Sequence, residues 1–105
     1  MKALLVAVCL IVLPGVASAH GLSVFAFRQG ETLGVEAKFA NGRAVQQGLI
    51  RILDADDQVV FEGPVSGEET TFVPLVGDER GLWVEVDAGN DHFDYWILTP
   101  SDLAE

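Results

Sequence analysis

The chain has 105 residues, of which 50% are hydrophobic and 21% charged, and its formal net charge is -10. This length suits one domain, and the apolar content excludes a wholly disordered chain. The acidic balance argues against nucleic-acid binding through a basic patch and against attraction to anionic membranes.

The first 19 residues have the pattern of a cleaved signal peptide. Lys2 forms a short basic region, residues 3–13 are an unbroken apolar run, and small residues at 17–19 follow a helix-breaking Pro-Gly pair. The apolar run is too short to cross a membrane, since a span needs about 20 residues. The sequence therefore predicts a signal peptide over residues 1–19, a single domain over residues 20–105, and a soluble periplasmic product with no stable membrane anchor of its own.

The remaining chain, residues 20–105, reads as a series of short strands. It carries 16 acidic and 5 basic side chains, a net charge of -11, and no cysteine, because Cys9 lies in the predicted signal peptide. It must therefore fold on packing alone. Apolar residues alternate at period 2 between turn residues, and no stretch shows a helical period. The pattern predicts strands at residues 22–28, 31–39, 48–53, 58–62, 70–75, 82–87 and 91–98. Pro74 indicates that the fifth strand lies at an edge or contains a bulge.

Seven short strands with turns between them predict an all-β, antiparallel, immunoglobulin-like β-sandwich. In its first hairpin, a Gln29-Gly30 turn would leave Phe25 opposite Gly34 and would turn Phe25 and Phe27 outward as an apolar patch. The alternative, which we expect, is burial of both rings under the second sheet.

The last predicted hairpin, residues 82–98, carries the most chemical information. Gly89-Asn90 is a two-residue turn signal, and the register that it sets pairs Asp87 with His92. The face expected in the core contains Leu82, Val84, Val86, Phe93, Tyr95 and Ile97. The opposite face contains Trp83, Glu85, Asp87, His92, Asp94 and Trp96. A bound cation would relieve the like-charge pair of Glu85 and Asp94, although a solvated acidic face is the simpler interpretation.

Removal of residues 1–19 would make His20 the first residue. An N-terminal histidine offers its α-amine and its Nδ1 as two nitrogen ligands, whose usual pKa values of about 7.7–8.0 and 6.5 allow both to deprotonate near neutral pH. Such donors suit Ni²⁺, Co²⁺, Cu²⁺ and Zn²⁺. His92 is the only other histidine in the chain and would be the third nitrogen. The candidate oxygen donors near it are Asp87, Asp91 and Asp94. The alternative is a histidine that cleavage exposes by chance and that binds nothing.

Four stretches, which cover most of residues 20–98, form one recognisable pattern. They are the histidine and aromatic strand of residues 20–27, GETLGVEAKFANGRAV, IRILDADDQVVFEG, and the closing VEVDAGNDHFDYWIL with its Ala-Gly-x-x-His order. Together they resemble the small periplasmic accessory component of nickel and cobalt uptake systems of the energy-coupling-factor type. That family is similar in turn to carboxypeptidase-regulatory-like and transthyretin-like sandwiches.

The resemblance implies a transthyretin-like sandwich that is not an enzyme. It would bind Ni²⁺ or Co²⁺ through His20 and His92 and assist a membrane-embedded nickel/cobalt transporter component. Two other functions stay open. The same three nitrogens would suit Cu²⁺ in a periplasmic copper carrier with a histidine-brace-like site. A sandwich with exposed Trp83 and Trp96 would instead serve as a protein-interaction module without a metal.

Overall fold

A computed structural model describes residues 21–104. The described chain forms seven strands and a short helix: β1 (Leu22–Gln29), β2 (Thr32–Phe39), β3 (Leu49–Leu53), β4 (Val59–Pro64), β5 (Thr71–Pro74), β6 (Leu82–Gly89), β7 (His92–Leu98) and α1 (Pro100–Leu103). All strand pairs are antiparallel, and they form a sheet of order β1-β2-β5 and a sheet of order β4-β3-β6-β7. The predicted all-β sandwich is confirmed, and β5 is an edge strand. The predicted signal peptide, residues 1–19, and His20 lie outside the described residues.

The core lies between the two sheets, because every second side chain of a strand points to the same face. In β2, for example, Leu33, Val35 and Ala37 are buried. The largest fully buried side chains are Leu33, Ile50, Ile52, Val84, Val86 and Leu98. Cysteine is absent from residues 21–104, so no disulfide within this range joins the two sheets.

The register of the last hairpin differs by one residue from the predicted one. Its two turn residues are Asn90 and Asp91, both with positive φ (54° and 66°), and not Gly89-Asn90. Such a turn is of the type that favours Asn and Asp, because their short polar side chains tolerate the left-handed region. Gly89, at φ 82°, flanks an irregularity in the pairing of β6 between Asp87 and Gly89. The bulge thus absorbs the residue that the prediction placed in the turn.

The slip of one residue turns the side chains of β7 to the opposite faces from those predicted. Asp87 pairs with Phe93 and not with His92, and Glu85 pairs with Tyr95 and not with Asp94. The predicted like-charge pair therefore does not form. Three residues expected in the core are instead exposed: Phe93, Tyr95 and Ile97.

The first hairpin, β1–β2, also differs from the prediction in its turn and in the faces of its side chains. Gly30, at φ 62°, and Glu31 form its turn, so Phe27 lies opposite Gly34 and Phe25 lies opposite Glu36. The expected burial of Phe25 and Phe27 is wrong, because the buried side chains of β1 are those at the alternate positions. The Phe27 ring covers Gly34, where a Cβ atom would come within 2.3 Å of the ring.

Helix α1 closes one end of the sandwich with buried Leu103. The sequence pattern did not predict this helix, because it has only four residues. Thr99 is its N-cap, and Pro100 occupies the first turn. The Thr99 Oγ1 accepts a hydrogen bond from the Asp102 backbone N–H at 3.2 Å. In return, the Asp102 carboxylate accepts from the Thr99 N–H and Oγ1–H, each at 2.9 Å. The backbone and side-chain bonds from Thr99 lower the pKa of Asp102 below 3.8.

Replacing Thr99 by alanine is expected to raise the pKa of Asp102 part of the way back, because the N–H bond remains and the Oγ1–H bond is lost. A depressed carboxyl pKa contributes stability above the unfolded value near 3.8, and this stability is lost as the pH falls through the folded value. The variant should therefore lose less stability than the parent in that acidic range. A carboxyl ¹³C NMR titration, with Ser101→Ala as control, measures the shift. An unchanged Asp102 titration in Thr99→Ala would contradict the assigned bond.

Candidate metal centre

His92 opens β7 and lies half-buried beside the end of β2. Its Nδ1 is 3.2 Å from the carbonyl oxygen of Gly89. A carbonyl can only accept, so Nδ1 carries the proton and donates it in this bond. In the neutral tautomer that donates through Nδ1, the lone pair for a metal lies on the other ring nitrogen, Nε2. The ring packs edge-to-face on Phe39, with 5.1 Å between the ring centroids.

The described chain begins close to this imidazole. Leu22 pairs with Phe39 in the β1–β2 register, and the Ala40 N–H donates to the Gly21 carbonyl at 2.8 Å. Phe39 therefore borders the start of β1 with its backbone and touches His92 with its ring.

Asp94 is the candidate oxygen donor on the same face of the sheet as His92. It pairs with Val86, which is fully buried, so the Asp94 side chain projects toward the inner side of the sandwich and is half-buried there. His92 is two residues away on the same strand and shares this face. Asp91 is the second turn residue and is exposed.

Asp87, by contrast, projects from the outer face of β6. Its partner across the strands is Phe93, and its Oδ1 accepts a hydrogen bond from the Gly89 N–H at 2.9 Å. The structure thus separates Asp87 from the inward-facing His92, and sequence reasoning missed this separation because it assigned the wrong turn residues.

Among residues 21–104, no group of three or more His, Cys, Asp or Glu side chains is arranged to hold a metal ion. The candidate centre therefore depends on His20, which the structure does not describe. At the opposite end of the sandwich, Arg80 lies 2.8 Å from Asp56 and 2.9 Å from Asp78. Its hydrogen bonds hold the pKa of both carboxyl groups below 3.8, so these two acids are already engaged by a guanidinium.

Two surface clusters of aromatic side chains were not predicted as such. On the outer face of β6 and β7, Trp83 stacks on Tyr95 with 3.8 Å between centroids. On the outside of the other sheet and at its junction with β7, a second cluster joins Phe25, Phe27, Phe72 and Trp96, with centroid distances of 5.1 to 6.3 Å. Trp83 and Trp96 therefore lie on different faces of their sheet, and not on one as predicted. Recognising Asn90-Asp91 as the turn would have revealed the cluster on β6 and β7, whereas the exposure of Phe25 and Phe27 depends on the Gly30-Glu31 turn of the first hairpin.

Comparison with protein-family models, with curated proteins and with solved structures finds no match to this chain. The resemblance to nickel and cobalt uptake components therefore stays a prediction. Within the part of the chain that the structure describes, no helix is long and apolar enough to cross a membrane.

Proposed function

We propose that this chain is an exported metal-handling protein that binds Ni²⁺ or Co²⁺ through His20 and His92 and assists a membrane-embedded uptake transporter. The observation that carries the proposal is the position of Gly21, whose carbonyl oxygen accepts a hydrogen bond from the Ala40 N–H. Ala40 follows Phe39, and the Phe39 ring packs on His92. Because His20 directly precedes Gly21 in the chain, we propose that a histidine at the mature N-terminus reaches the His92 ring.

The proposed ligand set has three nitrogens and one oxygen. The α-amine and Nδ1 of His20 would close a chelate ring, the free Nε2 of His92 would complete the nitrogens, and Asp94 would supply the carboxylate from the face that it shares with His92. Leu22, at the start of β1, is buried on the inner face, which is also the face of His92 and Asp94. Nitrogen donors with one carboxylate suit Ni²⁺ and Co²⁺.

Charge supports the same function. Residues 20–105 carry 16 acidic and 5 basic side chains, and such an excess raises the local concentration of cations. Binding and transfer of an ion need no covalent step, so the proposal requires no enzymatic activity. The same nitrogens would hold Cu²⁺ more tightly than Ni²⁺ on intrinsic affinity, and the metal titration below therefore includes copper.

The N-terminal amine provides the sharpest test. The chain is expressed with its signal sequence, its mature N-terminus is established by intact mass, and the untagged protein is titrated with Ni²⁺, Co²⁺ and Cu²⁺ by calorimetry. We expect one ion per molecule. A variant with one alanine inserted before His20 keeps every side chain but moves the free amine out of the chelate ring. We expect it to bind Ni²⁺ at least about tenfold more weakly, because loss of a residue that only supports a metal ligand already lowers metal affinity by about 10- to 100-fold.

Unchanged affinity in the inserted variant, or a mature chain that does not begin at His20, would refute the proposal. Tight binding of Cu²⁺ with no measurable binding of Ni²⁺ or Co²⁺ would replace it with a copper carrier.

A further inference from the structure

The outer face of the β6–β7 hairpin exposes large apolar side chains that no described segment covers. Phe93, Tyr95 and Ile97 are 44%, 42% and 53% exposed and follow one another along one side of β7. Trp83, stacked on Tyr95, extends the same surface onto β6. We define these four residues, with Glu85 and Asp87 beside them, as the outer aromatic face. Large contiguous apolar surfaces on soluble proteins are typical of interaction sites.

The charges of the outer aromatic face are acidic. Arg51 is the only lysine or arginine of β3, β4, β6 and β7, and it lies 3.7 Å from Glu62 and 3.2 Å from Glu85. Glu85 also accepts a hydrogen bond from the Trp83 Nε1 at 2.8 Å, which fixes the indole. Asp87 adds a third carboxylate on the same side of the sheet. One guanidinium thus faces three carboxylates around the aromatic rings.

β7 is an edge strand that contains neither proline nor lysine. It pairs only with β6, and its seven residues, HFDYWIL, include neither proline nor lysine. The edge strands β4 and β5, in contrast, each end in proline, at Pro64 and Pro74. Proteins place proline and lysine on exposed edges to prevent pairing with other chains. The remaining edge strand, β1, also has neither residue, so β7 is one of two edges without them, and it is the one that bears the outer aromatic face.

We propose that the outer aromatic face docks a basic segment of a partner protein, one that carries lysine or arginine around large apolar side chains. Charge selects this occupant. A second copy of this chain would bring together two molecules whose residues 20–105 each carry a net charge of -11, and an anionic lipid surface would be repelled for the same reason. Aromatic side chains at the centre of such a surface supply most of the binding energy, and the surrounding carboxylates select a cationic partner. The site is separate from the proposed metal centre, since His92 faces inward.

A random twelve-residue peptide library displayed on phage tests the chemistry of the occupant directly. The library is selected on the full exported protein and counter-selected on Phe93→Ser. We expect the enriched peptides to be cationic and to contain large apolar residues. One enriched peptide is then synthesised, and its dissociation constant is measured for each variant by fluorescence anisotropy.

Phe72→Ser is the matched control, because Phe72 is 52% exposed on the other sheet. Phe93→Ser should weaken the peptide at least about tenfold, as the loss of a central aromatic contact does, and Phe72→Ser should change it less than about twofold. Ile97→Thr, a second change on the same face, should also weaken it. Raising the salt concentration should weaken binding further, because salt screens exposed charges.

Several results would overturn the proposal. These are the absence of enriched peptides, enriched peptides that are neutral or acidic, equal effects of Phe93→Ser and Phe72→Ser, and a dimer in sedimentation that Phe93→Ser abolishes. Binding of the protein to phosphatidylcholine vesicles that Phe93→Ser abolishes would likewise replace the protein partner with a membrane. Circular dichroism of each variant checks that the protein is folded, so that a loss of binding is not caused by unfolding.

Discussion

Replacing His92 by alanine is expected to weaken Ni²⁺ binding by at least about a hundredfold. The change removes Nε2, which the hydrogen bond from Nδ1 to Gly89 leaves free for a metal. Loss of a residue that only supports a metal ligand costs about 10- to 100-fold in affinity, so loss of a ligand itself should reach or exceed the upper end. Calorimetric titration of the exported protein measures the effect.

Asp87→Asn is the matched control for His92→Ala. Asp87 lies close in sequence but projects from the outer face, so its change should alter Ni²⁺ affinity less than about twofold. Asp94→Asn, on the face of His92, should weaken binding measurably. Equal affinities of His92→Ala and the parent protein would leave only surface carboxylates as ligands and would eliminate the proposed centre.

Acidity should weaken the same site in the parent protein. A metal-bound amine must be deprotonated, and α-amino groups have usual pKa values of about 7.7–8.0. Proton competition for the His20 amine therefore increases as the pH falls below that range, and Ni²⁺ affinity should decline steadily toward acidic pH. Affinity that stays constant between pH 8 and pH 6 would contradict an amine ligand.

Replacing Ile52 by alanine is expected to lower the free energy of unfolding by about 2–5 kcal/mol, the usual cost of truncating a buried isoleucine. Ile52 has no exposed surface and lies in β3, between Phe61 of β4 and Val84 of β6. Small domains are stable by only about 5–15 kcal/mol, and no cysteine of the described chain offers a cross-link. The midpoint of thermal unfolding should therefore fall by more than about 10 °C.

Ile97→Ala provides the comparison, because it removes the same atoms from a side chain that is 53% exposed. It should cost less than about 1 kcal/mol, in keeping with the small effects of surface substitutions. Urea denaturation of both variants checks the pair. A cost for Ile97→Ala equal to that of Ile52→Ala would mean that β7 follows the register with Ile97 in the core.

The candidate centre could be anticipated only in part. The His92 imidazole, its place beside a turn and the acidic residues near it were all visible in the sequence. Its inward orientation was not, because a two-residue turn can start at Gly89 or at Asn90, and the sequence signal for both is strong. The packing of Phe39 on His92 joins β2 to β7, which are distant in the chain, and no local pattern encodes such a contact.

The sequence by itself determined the seven strands, their approximate bounds and the sandwich, because period-2 alternation and turn residues are local properties of the chain. Only the tertiary structure decided which faces of β1 and β7 are buried. A shift of one residue in pairing exchanges the two faces of a strand. The hydrophobic pattern of β7 favours the face of Phe93, Tyr95 and Ile97 as core, but the structure turns the face with His92 and Asp94 inward. The choice depended on how Val84, Val86 and Leu98 pack against the opposite sheet, and it left Phe93, Tyr95 and Ile97 at the surface.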